Sequence, residues 1–92
     1  MPQPPSTGRI VMYRLSEEDT RAITHQRAQS GVSGNFVEAG QQYPAVVVRV
    51  WPGSPDDACN LRVLLDGQDP PLWATSRHSG DKPGTWSWPE RV

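Results

Sequence analysis

The chain has 92 residues, a net charge of −1, ten prolines and eight glycines, and only 35% of it is hydrophobic. That length holds one small domain, and so much Pro and Gly excludes a helical bundle in favour of short strands joined by turns. The near-zero charge supplies no basic field for a nucleic acid polymer, no apolar run is long enough to cross a membrane, and one cysteine with two histidines makes neither an internal disulfide nor an obvious zinc site.

Residues 1–8 are Pro, Gln, Ser, Thr and Gly behind the initial Met, and read as a disordered leader unlike the apolar core of a signal peptide. A single domain is expected over residues 9–92. Ile10, Val11, Met12 and Tyr13 form a short strand or a docking arm. Ser16 followed by Glu17, Glu18 and Asp19 reads as a capped helix start, and Gly31 as its stop, placing a helix over residues 16–30. Its strong apolar positions are Ala22 and Ile23, joined by Ala28 at the end. So thin a stripe predicts either a loosely attached surface helix or one covered by a second subunit, with Arg27 presented to a shared site.

The β part is expected over residues 36–92. Phe36-Val37 begins a short strand that Gly40 breaks. In the valine run that follows, Val46, Val48 and Val50 are assigned to the core, and Ala45, Val47, Arg49 and Trp51 to a binding face. After the open turn at Pro52-Gly53, Leu61, Val63 and Leu65 supply the matching core face. Simple pairing would set Arg49 opposite Arg62, which is unfavourable unless the register shifts or an anion lies between them. Asp66-Gly67 marks a tight turn. Pro70-Pro71 predicts a bulge or a sheet edge before a strand over residues 72–77, and residues 85–89 close the sheet. The resulting fold class is α+β: an N-terminal helix packed with a small antiparallel sheet or partial barrel of four to five strands.

Catalytic patterns are missing from the sequence. There is no G-x-S-x-G and no H-E-x-x-H. The paired acids Asp56-Asp57 lie in a Pro/Gly turn, His25 and His78 belong to no recognisable catalytic motif, and the acids before Cys59 would raise a thiol pKa. The four tryptophans carry more information. Trp73 and Trp86 are core candidates, since a tryptophan buries much apolar area. Trp51 ends a strand beside an arginine and a loop, where ring stacking on a base contributes about 1–3 kcal/mol. Asn60 can read a base edge, and an arginine fork can grip phosphate. Eight of the nine basic residues are arginine, which suits such a grip and equally reflects GC-rich coding.

The blocks Tyr43-Pro-Ala-Val-Val-Val-Arg-Val-Trp51, Asn60-Leu-Arg-Val-Leu-Leu-Asp-Gly-Gln-Asp69, Trp73-Ala-Thr-Ser-Arg77 and Gly84-Thr-Trp-Ser-Trp-Pro89 resemble, in order and spacing, the bacteriophage Thoeris anti-defence sponges of the first described family. The resemblance covers roughly residues 35–92, with weaker agreement over the helix. It implies a non-enzymatic protein of the host bacterial cytoplasm that binds cyclic ADP-ribose isomers made by TIR-domain proteins and keeps them from their effector. No cofactor or metal is implied. Family members form dimers that assemble into hexamers, with the ligand pocket between subunits, and some bind cyclic oligonucleotides at a second site. Carried over, the ligand-binding residues are Arg27, Trp51, Asn60, Thr75 and Arg77. This chain is shorter than the family pattern and departs from it at Pro70-Pro71. The alternatives are a small single-stranded nucleic-acid-binding barrel using Trp51 and Arg49, and a ligand-free phage structural or interaction protein whose tryptophans are all core.

Overall fold

The computed structural model of the chain describes residues 3–54 and 57–90. Five strands, β1 (Ile10–Arg14), β2 (Gln42–Val50), β3 (Cys59–Val63), β4 (Leu72–Arg77) and β5 (Trp86–Ser87), and one helix, α1 (Glu17–Ser30), follow one another as β1-α1-β2-β3-β4-β5. The strands form one antiparallel sheet in the order β4-β3-β2-β1-β5, curled into a half-barrel. The α+β expectation is met, with the helix at the N-terminal side of a five-stranded sheet.

The ends of α1 follow from local chemistry. Asp19 N–H donates to the Ser16 hydroxyl while the Asp19 carboxylate accepts from Ser16 N–H, and Glu17, Glu18 and Asp19 sit at the positive end of the helix dipole. Gly31 ends the helix in the left-handed region, φ 71°, where a side chain would be strained.

The core joins Val11, Tyr13, Leu15, Ala45, Val47, Leu61, Val63, Ala74 and Trp86 on the inner sheet face with Ile23 of α1. Two assignments are thereby corrected. Ala45 and Val47 are buried, whereas Val46 is half-buried and Val48 is 42% exposed, so the two faces of the valine run are the reverse of those expected before the bulge. The physical reason is register: Val46 pairs with Ile10 and Arg62, both exposed, while Ala45 pairs with Val11 and Val63. A uniform valine run does not announce which face is buried. Trp73, expected in the core, is 56% exposed because it shares the outer row with Arg62, its partner on β3.

A register shift between Val47 and Arg49 resolves the opposition of arginines. Arg49 pairs with Asn60, and Arg62 with Val46. The same bulge restores Val50 to the inner side, half-buried against the core. Pro70-Pro71 precedes β4, which is an edge strand. Residues 36–37 form no strand; Gly34 instead bridges Gly67, a backbone approach in which a Cβ at Gly67 would stand 2.5 Å from Gly34 Cα. The leader, read as disordered, is fastened where it is described. Gly8 N–H donates to Val47 O at 2.7 Å, and Gln3 O accepts from Trp88 Nε1 at 3.0 Å. Residues 1–2 lie outside the described residues.

Candidate ligand-binding site

The candidate residues lie at the end of the sheet where β2 hands over to β3. Trp51 directly follows β2, and its carbonyl accepts from Ser54 N–H at 3.0 Å to close the Pro52-Gly53 turn. The residue is 40% exposed, and the Arg49 guanidinium lies 4.5 Å from its ring centroid in a cation–π contact. Beside it a shallow cleft of about 240 Å³ is lined by Pro5, Val50, Trp51, Ser54 and Asp57 among others.

Asn60, the β3 partner of Arg49, is buried at a second irregularity, between Cys59 and Leu61. Its Oδ1 accepts from Ser76 N–H at 2.7 Å and from the Thr75 hydroxyl at 3.0 Å. The first bond fixes which end of the amide is oxygen and braces Ser76 at φ 55°, a conformation unfavourable for serine. The amide N–H groups of Asn60 make no hydrogen bond among the described residues. Thr75 and Ser76 are exposed.

Arg77 completes this end of the sheet opposite Cys59. Its guanidinium lies 5.7 Å from the Tyr13 ring centroid, and Nη2 stands 3.5 Å from Asp19 Oδ1. Its Nε is buried without a hydrogen-bond partner among the described residues, yet 27% of the side chain is exposed. The Tyr13 hydroxyl donates to the other Asp19 oxygen. Burial, reinforced by that hydrogen bond to a carboxylate, raises the Tyr13 pKa far above its ordinary value.

By strand register Trp51, Asn60, Thr75 and Arg77 thus lie at the same end of the sheet, with the Arg77 guanidinium directed to Tyr13 and Asp19. Arg27 does not join them. Its Nε and Nη2 donate to the two Asp69 oxygens at 2.7 and 3.0 Å, and Nη1 donates to Asn35 O at 2.9 Å, at the opposite, β3-to-β4 end. Within one chain Arg27 therefore stands apart from the other four, each of its guanidinium nitrogens donating a hydrogen bond inside its own chain.

Ser76, Tyr13 and Asp19 were missed as neighbours of the site. The sequence marked Asp19 as part of the helix cap, but nothing in it signalled the second engagement with Tyr13 and Arg77. Cys59 is buried, and that burial pushes its thiol pKa up to about 11, so it is a core atom and not a reactive thiol. Trp86 is buried as expected, edge-on to Trp88 at 5.5 Å, with Nε1 donating to Asp57 O at 3.2 Å. Asp56 lies outside the described residues. Among the described residues no three of His, Cys, Asp and Glu gather as a metal site, and no helix is long and apolar enough to cross a membrane.

Chemically, this end offers an exposed indole, two guanidinium groups, two hydroxyls and an amide donor. Comparison with protein-family models, with curated proteins and with solved structures finds no match for the chain.

Proposed function

We propose that the protein binds a cyclic ADP-ribose-type nucleotide messenger made by TIR-domain immune proteins and sequesters it without turnover, in the cytoplasm of a bacterium infected by phage. One observation carries this reading: Trp51 with Arg49 on its ring stands at the same sheet end as Asn60, Thr75, Ser76 and Arg77. An adenine stacks on the indole, the Asn60 amide and the hydroxyls meet base edge and ribose, and the arginines meet the pyrophosphate. A compact dianion needs few cationic partners, in keeping with a chain whose net charge is −1. The resemblance places such a pocket between subunits of a homo-oligomer. Arg27, hydrogen-bonded to Asp69, stands apart from this sheet end within its own subunit.

The exposed Trp51–Arg49 pair also suits a single-stranded nucleic acid, so the test carries both ligands. The purified chain is incubated with the product of a TIR-domain enzyme, filtered, washed and heated, and the released nucleotide is identified. Intact messenger is expected. Linear ADP-ribose or smaller fragments overturn the non-enzymatic reading. Failure to retain messenger, with retention of an oligonucleotide that falls steeply with salt, replaces it by the nucleic-acid reading.

A further inference from the structure

Along one side of the sheet, β4 leaves its outer edge open. It is the terminal strand of the sheet and pairs with β3 alone, and no other described segment makes a backbone hydrogen bond to residues 72–77. The opposite edge is different: β5 is two residues long and its Trp86 also bridges Ser79. Open edges are usually blunted by a charge, a proline or a bulge. On β4 these devices stand outside the central stretch. Pro70-Pro71 precedes it, the bulge at Thr75-Ser76 and the inturned Arg77 follow it, and Leu72-Trp73-Ala74 between them carries no charge.

Beside this edge, between α1 and β4, lies a cleft of about 220 Å³. Ala22 and Ile23 of α1, with Leu65, Pro71 and Leu72, give it apolar walls, and Arg62 lines it as well. Pockets for drug-sized ligands begin at roughly 300 Å³, so this one suits a single large apolar side chain. Its charge is unbalanced. Asp69 lines it too but is held by Arg27, whereas Arg62 is exposed and makes no ion pair or hydrogen bond among the described residues. An occupant that inserts an apolar side chain therefore meets an unneutralised guanidinium.

We propose that β4 is a docking edge for an extended segment of another protein, one that carries a large apolar residue flanked by carboxylates. The segment adds as a sixth strand, its apolar side chain fills the α1–β4 cleft, and a flanking carboxylate pairs with Arg62. Main-chain hydrogen bonds along the edge supply affinity, while the cleft and Arg62 supply selectivity. The cleft and Arg62 lie apart from the cleft beside Trp51, although the far end of β4 carries Thr75 and Arg77, and the proposal stands whether or not a nucleotide binds there.

The test uses the full chain, isotope-labelled for NMR, with two short probe peptides of alternating threonine and valine around one central phenylalanine, flanked in one by aspartates and in the other by lysines. Backbone amide signals of residues 72–75 are expected to shift and their hydrogen exchange to slow. The aspartate peptide should bind roughly two- to fivefold more tightly than the lysine peptide, the size of an exposed ion pair. Arg62→Glu, a change at an exposed position, should reverse that order. Equal affinities overturn the carboxylate assignment. Absence of shifts at millimolar peptide, or shifts confined elsewhere, overturns the docking edge. Protection of residues 72–75 that grows with protein concentration, without peptide, assigns the edge to a second copy of the chain and overturns the proposal.

Discussion

Arg27 and Asp69 form a two-pronged ion pair, Nε to Oδ2 at 2.7 Å and Nη2 to Oδ1 at 3.0 Å, that ties the C-terminal half of α1 to the segment between β3 and β4. Two helical turns earlier on the same stripe, Asp19 meets Tyr13 and Arg77. Ile23 lies midway and is the helix's buried apolar contact. Positions 19, 23 and 27 are four apart and so share one face. A helix with little apolar surface is held by one isoleucine between two polar clasps.

The Asp69 side chain is 2% exposed, and its hydrogen bond from Arg27 holds its carboxyl below the usual carboxylate range. A folded-state pKa below the unfolded one gives stability that is present above the unfolded pKa and lost as pH falls through the folded one. Asp69→Asn is therefore expected to lower stability at neutral pH by about 1–2 kcal/mol and to flatten the acid limb. Thermal melts of parent and variant from pH 2 to 7 check this; parallel acid limbs would show that the pair contributes nothing.

Tyr13 acts at the other extreme of pH. Its phenol is neutral in the folded chain well above pH 10, whereas an unfolded tyrosine ionises near pH 10. The unfolded state then binds fewer protons, so stability is full below about pH 10 and falls above it. In Tyr13→Phe that alkaline fall should become shallower, while stability at pH 7 drops by about 0.5–1.5 kcal/mol with the bond to Asp19. Denaturant melts at pH 7, 9 and 11 measure both effects.

Asn60 and Ser76 make a local device that can be taken apart. Asn60→Ala deprives Ser76 N–H and the Thr75 hydroxyl of their acceptor, and an expected loss of about 1–3 kcal/mol follows. Ser76→Gly, at φ 55°, relieves the left-handed strain and should leave stability unchanged or raise it by up to about 1 kcal/mol. If Ser76→Gly destabilises as much as Asn60→Ala does, the hydroxyl of Ser76 and not its backbone is what matters.

The tryptophans should separate cleanly. Trp86→Ala removes a fully buried ring and should cost about 3–5 kcal/mol. Trp51→Ala alters an exposed ring and should move the melting temperature little, while messenger retention falls by the roughly 1–3 kcal/mol of one stacking contact. Retention equal to that of the parent would remove Trp51 from the pocket. Arg77→Ala is a poorer probe, because its guanidinium also neutralises the buried Asp19 and its loss should lower stability.

What the sequence determined was local. Ser16 and Gly31 set the helix ends because capping is chemistry between near neighbours, and turn residues and β-branched runs set most strands. That Trp51, Asn60, Thr75 and Arg77 lie at the same end of the sheet was also legible, since adjacent antiparallel strands bring successive strand ends together. Tertiary structure decided the rest. Which face of the valine run is buried depended on pairing with β1 and β3, and one bulge kept Arg49 away from Arg62. Arg27 was expected at the ligand and is spent on Asp69, a partner 42 residues away that no local pattern announces. A carboxylate held so close to a guanidinium, with little water between, outcompetes any more distant use of that charge.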